Sequence, residues 1–289
     1  MICLLKRNQI DEEKYNHCIA NALQSRIYAY SWYLDVVADN WNVLILGDYE
    51  AVMPLPIHSK LGIKFISQPF FTQQLGVFSK EELSKNRFLE FLKNIPKKFL
   101  KIALQFNSEN TFLKENVIQK NNYILPLNNK YDLLYKNFSK GRKHAVQQAL
   151  KNDLLINEIS FFELLELSKK HYSFKEISEV EYEKLTLLVE VLKEKNKAKT
   201  LGVKVDGKLI GGAVFLIDAK RIVYLFSAVS NVGKEKQVAS LLLHSMIEAY
   251  ANTTKIVDFE GSQISGVAAF FKSFGAQKET YFLLKKRLL

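Results

Sequence analysis

The sequence predicts a mixed α/β fold of the α+β kind, divided into two domains. Its 289 residues are enough for two domains of ordinary size. Hydrophobic patterns with the helix period and the strand period alternate along both halves of the chain. Asp206-Gly207 lies between two apolar strand patterns, which is a strong signal for a hairpin and hence for antiparallel pairing within the sheet.

The domain boundary is predicted from proline, glycine and a polar turn. All five prolines precede residue 130, whereas nine of the twelve glycines lie from Gly141 onward. A polar turn over residues 127–130 separates these two parts of the chain. We therefore expect an N-terminal domain over residues 1–130 and a C-terminal domain over residues 131–289, each large enough for its own core.

In the first domain, Pro54 and Pro56 indicate that the strand containing them is irregular or lies at a sheet edge, because proline cannot donate a ladder hydrogen bond. Acidic residues in the first turn favour a helix that begins at Asp11. The patterns predict helices over residues 11–23, 31–38, 80–92 and 112–120, and strands over residues 41–46, 51–57, 63–66, 101–106 and 123–127.

In the second domain, three strands are followed by a helix and a further strand, which predicts a mixed sheet with a crossover connection. Neither a Gly-x-Gly-x-x-Gly fingerprint nor a P-loop motif occurs, which argues against Rossmann and P-loop nucleotide binding. The patterns predict helices over residues 131–151 (in two pieces), 161–172, 179–194, 235–251 and 267–274, and strands over residues 154–159, 200–205, 208–217, 221–229, 256–260 and 281–285.

Composition and charge limit the possible function classes. Hydrophobic residues make up 48% of the chain and charged residues 25%, which is typical of a packed globular protein. The net charge of +11 fits an anionic partner such as nucleic acid, a nucleotide cofactor or a membrane face, although a solvated lysine-rich surface needs none. Two cysteines without metal or disulfide spacing, and no apolar run of membrane-spanning length, lead us to expect a soluble cytoplasmic protein without a metal.

The loop after the strand over residues 221–229 is a candidate anion site. A helix N-terminus offers unpaired N–H groups and partial positive charge, Gly233 would let the backbone approach a ligand, and nearby lysines add charge. The alternative is a plain strand–helix connection with solvated lysines. The residues expected to contact a bound cofactor are Ala228, Val229, Gly233, Lys234, Lys236 and Gln237.

The segment from Val257 to Ser262 supplies candidate catalytic carboxylates. Strand alternation places Asp258 and Glu260 on the same face, where a partly buried carboxylate can act as a general base. The alternative is structural, with Asp258 accepting backbone N–H bonds and Glu260 capping the following loop.

Cations and phenols provide further candidate site residues. Residues 133–152 contain five cations and no acid, so Arg142 and Lys143 are candidates for contacting a phosphate or the substrate, or else belong to a solvated helix face. Tyr224 and Tyr281 lie in strands, where a phenol can donate a proton or a hydrogen bond but more often packs. The five histidines show no spacing for a metal or a catalytic triad, and His244, among leucines, resembles a core residue.

Three stretches resemble the GCN5-related N-acetyltransferase (GNAT) superfamily, and in particular its FemABX-like branch with two GNAT-type domains. They are Phe138-Ser-Lys-Gly-Arg-Lys-His-Ala-Val-Gln-Gln-Ala149, Gly202-Val-Lys-Val-Asp-Gly-Lys-Leu-Ile-Gly-Gly-Ala-Val-Phe215, and Val257-Asp-Phe-Glu-Gly-Ser262 with Phe270-Phe-Lys-Ser-Phe-Gly-Ala276. Phe71-Thr-Gln-Gln74-Leu-Gly-Val77 is a weaker match, which makes Gln74 a candidate substrate contact.

The resemblance implies tandem GNAT-like domains, each a mostly antiparallel mixed sheet flanked by helices, with a cleft between them. It implies an acyltransferase in which the loop from Gly233 to Gln237 holds the phosphates of the donor. Backbone N–H groups of a splayed strand over residues 224–228 would bind the oxyanion. Glu260, or else Asp258, would be the base, and Tyr281 would protonate the leaving group.

The identity of the donor stays open. GNAT enzymes that use acetyl-CoA or another acyl-CoA carry Arg/Gln-x-x-Gly-x-Gly/Ala, and here Ser230 and Glu235 stand at the first and last positions when Gly233 is taken as the glycine. FemABX-like enzymes instead take aminoacyl-tRNA and act on a cell-wall precursor, although this chain lacks the long helical arm of some members. A non-catalytic anion-binding module and a nucleic-acid binder are the further alternatives.

Overall fold

The computed structural model describes residues 1–113, 115–172, 177–261 and 263–287. The chain forms two compact units, one of Met1–Asn121 with Thr280–Leu289 and one of Asn122–Glu279. The division predicted at residue 130 lies inside the second unit. Ser262, which belongs to the predicted carboxylate segment, lies outside the described residues.

The described residues of the first unit form a mixed sheet with three α-helices. Its sheet order is β1-β2-β3-β4-β6-β13, and β5 pairs with β3. The neighbouring strands are antiparallel except for β4 and β6, which run parallel. The elements are β1 Ile2–Lys6, α1 Glu12–Asn21, α2 Ser31–Val37, β2 Asn40–Leu46, β3 Ala51–Lys60, β4 Ile63–Ser67, β5 Phe78–Ser79, α3 Lys85–Lys93, β6 Lys101–Phe106, the start of β7 Val117–Pro126 and most of β13 Gln277–Arg287.

The second unit contains a second stretch of mixed sheet, in the order β7-β12-β11-β10-β9-β8. Among its described strand pairs, only β11 and β12 run parallel, so the mixed α/β prediction is confirmed. The elements are α4 Tyr131–Lys136, α5 Lys140–Lys151, β8 Ile156–Glu158, α6 Phe161–His171, α7 Glu179–Glu194, β9 Ala198–Val205, β10 Lys208–Ile217, β11 Arg221–Val229, α8 Asn231–Glu235, α9 Val238–Ala249, β12 Ile256–Asp258 and α10 Ser265–Lys272.

Pro54 and Pro56 lie in β3 at a local edge, which fits the expectation for these prolines, although β3 as a whole has strands on both sides. β3 pairs with β2 along residues 40–46 and 51–57, which includes both prolines. Along the other edge of β3, the pairs cover residues 51–52 and 57–60. The prolines therefore occupy a local gap in the ladder, where a missing N–H costs no hydrogen bond.

Three predicted helices differ from the structure. The described residues of the segment 112–120 are not helical, and β7 begins at Val117, where Val117 and Ile118 favour a strand. The helix predicted from residue 80 begins only after Ser84, whose side chain accepts the N–H of Arg87. The helix predicted over residues 235–251 is interrupted at Gln237, which has a left-handed backbone conformation.

A buried polar network ties the start of β11 to the end of β12. Arg221 contacts Asp258 at 2.8 Å and Glu279 at 2.7 Å, and Asn122 donates to both carboxylates at 2.9 Å. Burial alone would lower the pKa of Arg221, but the two carboxylates raise it above its ordinary value. The network joins β7, β11, β12 and β13 at the point where β12 ends.

We predict that Arg221→Met destabilises the fold by about 3–5 kcal/mol, because it leaves two buried carboxylates without their cation. Chemical denaturation monitored by circular dichroism measures this change. Lys204→Met is the matched control, since Lys204 pairs with Glu163 at 2.6 Å with both side chains more than a third exposed. Its cost should stay below about 1 kcal/mol. Equal costs for the two variants would contradict a supporting role for the network.

Candidate active site

Beyond Val223, one edge of β11 has no partner strand among the described residues. The β11–β12 pairs end at Val223 and Asp258, whereas the pairs between β10 and β11 continue to Val229. The N–H of Ser230 donates to Ile210 on the β10 side, so alternation turns the N–H groups of Ser227 and Val229 towards the open edge. This open edge coincides with the splay expected over residues 224–228 and begins after Val223.

The alternating direction of N–H and C=O groups along β11 also decides which of them can contact a ligand at the open edge. Ala228 pairs with Gly212, and its N–H and C=O are directed towards β10 rather than the open edge. It therefore does not fit the predicted role of contacting a cofactor through its backbone. Ser227, which lies in the segment over residues 224–228 that was expected to bind the oxyanion, directs its N–H to the open edge instead.

The phenol of Tyr172 occupies the backbone groups of Val229. It donates to the carbonyl oxygen at 3.1 Å and accepts the N–H at 3.3 Å. The side chain thus makes the paired contacts that an added strand or an amide-containing ligand would make at this edge. Sequence patterns gave no signal for this contact, because Tyr172 lies 57 positions away in the chain.

The helix that follows β11 is broken into two parts. After the short helix α8, Gln237 takes φ 58° and ψ 34°, and α9 then begins at Val238 without a side-chain cap. The first N–H groups of an α-helix have no partner within the helix. The 12-residue α9 therefore presents a positively polarised N-terminus here, several residues later than the sequence analysis expected.

A hollow of about 440 Å³ lies at this N-terminus. This volume is within the range of small-molecule sites, and the lining combines aromatic side chains with a few polar groups. Burial raises the pKa of Tyr224, one of its lining residues, to about 12. The lining residues are Tyr172, Tyr224, Ser227, Val229, Gly233, Lys234, Gln237, Val238, Ala239, Ser240, Val267, Phe270 and Phe271.

Arg142 is a half-buried cation beside this hollow, contacting the lining residues Ser240 and Phe270. It donates to the hydroxyl groups of Ser240 and, at 2.9 Å, Ser273. Its guanidinium carbon lies 4.3 Å from the ring centroid of Phe270 and 4.6 Å from that of Phe274. Burial lowers its pKa to about 10. No carboxylate of the described residues forms a salt bridge with it, so the site has a positive charge available for an anion.

Gly233 is needed for packing of the protein on itself rather than for close approach of a ligand. A Cβ at this position would lie 2.1 Å from the carbonyl oxygen of Ile210 and 2.8 Å from Val229. Its N–H is bonded to the hydroxyl of Ser230 at 3.1 Å. The glycine therefore lets α8 pack against the end of β10, and the predicted role of this N–H in binding phosphate does not fit the structure.

Asp258 and Glu260 differ strongly in their surroundings. Asp258 is fully buried, and its carboxylate is bonded to Arg221, to Asn122 and to the N–H of Glu260. These contacts match the structural alternative for Asp258. Glu260 is half-buried, with a left-handed backbone conformation at φ 56°. It is not among the described residues that line the hollow.

The remaining candidate residues lie elsewhere. Lys143 donates to the carbonyl oxygen of Lys136 at the end of α4. Lys236 follows α8 and does not line the described hollow. In the first unit, Gln74 is fully buried and accepts the N–H of Ser108 at 3.0 Å, and Tyr281 is buried in β13.

His244 is a core residue in contact with a phenol, as its apolar neighbours indicated. Its Nε2 atom lies 2.6 Å from the hydroxyl of Tyr131, and burial lowers its pKa. Among the residues that the structure describes, no group of three or more His, Cys, Asp or Glu is arranged to hold a metal ion. None of the described helices has the length and hydropathy needed to cross a bilayer.

Comparison with solved structures identifies the fold. FemX superimposes with a TM-score of 0.69 at 14% identity, covering 94% of this chain and 96% of that chain. The chain has a GNAT-like fold of the FemABX type. A tandem GNAT protein from the clavulanic acid biosynthesis pathway matches with a TM-score of 0.55 at 9% identity, covering 100% of this chain and 99% of that chain.

L-PGS from Bacillus licheniformis shares the fold as well, with a TM-score of 0.53 at 14% identity, covering 94% of this chain and 90% of that chain. No protein-family model matches the sequence, and no curated protein matches it. At such identities the likeness defines the fold, and the chemistry has to be argued from the site.

We predict that Gly233→Ala destabilises the fold by about 1–3 kcal/mol, because the added methyl group overlaps the carbonyl oxygen of Ile210. Gly141→Ala is the matched control, since nothing lies within 4 Å of a Cβ at that helical position. It should stabilise the fold by about 0.5–1 kcal/mol. Thermal unfolding of the two variants checks the difference, and a neutral Gly233→Ala would contradict the packing role.

Proposed function

We propose that this chain is an acyltransferase that moves an acyl group from a phosphate-bearing activated donor to an amine or hydroxyl acceptor. The observation that carries the proposal is the open edge of β11 at Ser227, which lies on the same hollow as the first turn of α9. A strand edge can hold an amide-containing donor arm, and a helix N-terminus can hold its phosphates.

The anionic end of the donor would bind at the first turn of α9. The residues of this turn, Val238 to Ser240, line the hollow together with Lys234. The N–H groups of a first helical turn have no partner within the helix. Arg142 contacts Ser240 and has no salt-bridge partner among the described residues, so a phosphate would supply the missing negative charge. The aromatic lining around Phe270 and Phe271 suits the apolar part of the donor.

Transfer would proceed by direct attack of the acceptor on the donor carbonyl. The attacking nitrogen or oxygen forms the new bond, and the carbonyl oxygen becomes an oxyanion that the N–H of Ser227 can bind. Collapse of this intermediate breaks the bond to the leaving thiol or hydroxyl. The phenol of Tyr224, whose pKa is raised to about 12, stays protonated near neutral pH and can protonate the leaving group.

The proton of the acceptor needs a base, and Glu260 is the carboxylate that we propose. It follows the end of β12 by two residues, on the side where β11 loses its partner. Since Glu260 does not line the described hollow, a bound water would have to relay the proton. We assign Asp258 a positioning role, because its contacts hold Arg221 and the N–H of Glu260.

The conformation of Gln237 favours an acyl-CoA as donor. With the glycine position of the acyl-CoA motif placed at Gln237, Lys234 and Ala239 take its first and last positions, directly at the start of α9. The left-handed φ of 58° at Gln237 is one that glycine adopts easily. The match to FemX and the net charge of +11 support aminoacyl-tRNA as the second candidate, with a cell-wall precursor as acceptor.

We predict that coenzyme A and acetyl-CoA stabilise the protein, by about 2.7 kcal/mol at 100 times the dissociation constant. Arg142→Gln should weaken this binding about 10- to 100-fold, because it removes a charged hydrogen bond to phosphate. Lys140→Gln, an exposed cation on the same helix, should change it little. Isothermal titration and thermal unfolding measure these effects.

Glu260→Gln separates an enzyme from a binding module. If the chain is an enzyme, the Glu260→Gln variant should bind the donor as tightly as the unchanged protein and lose most of its turnover. A non-catalytic binding module would show no turnover in either form. If no CoA thioester shifts the thermal unfolding transition and the protein binds aminoacyl-tRNA, then aminoacyl-tRNA is the donor instead of an acyl-CoA. Absence of binding by both donors would contradict the proposed function.

A further inference from the structure

The hairpin of β3 and β4 projects from the first unit with an exposed apolar tip. Every residue from 58 to 64 is exposed, and Leu61 and Ile63 are 93% and 55% exposed. A soluble chain gains nothing from presenting two large aliphatic side chains at the end of a ribbon unless something covers them.

The turn at this tip has a leucine at a position where hairpin turns rarely have one. Lys60 pairs with Ile63, so Leu61 and Gly62 form a two-residue loop, and both have positive φ, at 50° and 77°. Asparagine, aspartate or glycine is favoured at the first of these positions, as at Asp206 in the hairpin of β9 and β10. A leucine at this position costs local stability, which points to a role outside the fold.

A second basic and apolar segment lies beside the hairpin. Lys101 is 5.5 Å from the ring centroid of Phe65, and Ile102 pairs with Ile66. Leu100 is 53% exposed. Together, residues 58–66 and 96–103 contain five lysines and no acid, although Asp39 pairs with His58 at the base of the hairpin. We name these two segments the hairpin surface.

A polar hollow of about 720 Å³ adjoins the hairpin surface. Lys64 and Lys98 of the hairpin surface line it together with Lys6. Asp35, the one acid among its described lining residues, is held by Arg7 at 2.7 Å. The lysines therefore retain positive charge that a phosphate headgroup could neutralise.

We propose that the hairpin surface docks the chain on an anionic phospholipid membrane, with Leu61 and Ile63 entering the headgroup region and the lysines contacting lipid phosphates. Aliphatic side chains surrounded by lysines suit a lipid interface. Single-stranded nucleic acid is favoured by exposed aromatic rings, but the ring of Phe65 is flanked by Lys101 and His58. This inference is independent of the proposed acyl transfer.

The test is flotation of the full chain with vesicles of phosphatidylcholine alone or mixed with phosphatidylglycerol. The chain should bind the anionic vesicles, and binding should weaken as salt is raised. Lys60→Ala with Lys64→Ala should weaken binding about 25-fold, at about fivefold per lysine. Lys85→Ala with Lys93→Ala, two exposed lysines of α3, changes the net charge equally and should leave binding nearly unchanged.

Leu61→Asn separates the role of the tip from folding. Asparagine suits the turn, so thermal stability should be kept or raised while vesicle binding falls about tenfold. Leu155→Asn, at a residue that is 75% exposed in the second unit, is the apolar control. The proposal would be overturned if the chain bound neutral and anionic vesicles equally, or if the two lysine-pair variants weakened vesicle binding equally. It would also be overturned if the Lys60→Ala, Lys64→Ala variant lost binding to single-stranded RNA while its vesicle binding stayed unchanged.

Discussion

The candidate site depends on the place where β11 and β12 stop pairing. Arg221, Asp258 and Glu279 form a buried charge network at that place, and Asn122 bonds both carboxylates. Such a network gains its stability only when every member is present, since each carboxylate is costly to bury alone. It ties the beginning of β11 to the end of β12, and beyond Val223 the edge of β11 that faced β12 is open.

Two local features convert the open edge into a hollow that can hold an anion. Gly233 lets α8 pack directly on the end of β10, and the left-handed Gln237 then starts α9 in a new direction. Arg142 brings a positive charge that the described carboxylates do not neutralise. Because its cation is stacked on Phe270 and Phe274, the guanidinium is held in place before a ligand arrives.

Much of the fold was predictable from periodicity and turn chemistry. The Asp206-Gly207 hairpin, strand β11 and helix α7 agree with their predicted bounds or nearly so, because apolar alternation, turn residues and caps all favour the same structure. The helix predicted over residues 112–120 was wrong, because so short a hydrophobic pattern fits a helix as well as a strand. The prolines of β3 indicated an edge position, but only the strand pairing shows that this edge is a short gap within an interior strand.

The candidate site was predictable only in part. Gly233, Lys234 and Gln237 line one hollow with Tyr224. The sequence indicated this loop as an anion site because it connects a strand to a helix N-terminus. The roles of Gly233 and Ala228 depend on which way a backbone group points, and this requires the strand register. Tyr172 and Phe270 join the site through contacts that are distant in sequence, so no local spacing could indicate them.

The most direct measurement is residue-resolved amide hydrogen exchange with and without saturating coenzyme A. The account predicts slower exchange at Ser227 and at Val238 to Ser240, because the donor would occupy the open edge of β11 and the first turn of α9. Exchange at Ala228, already paired with Gly212, should change little. Protection confined to other parts of the chain, with Ser227 and the first turn of α9 unchanged, would contradict the proposed donor site.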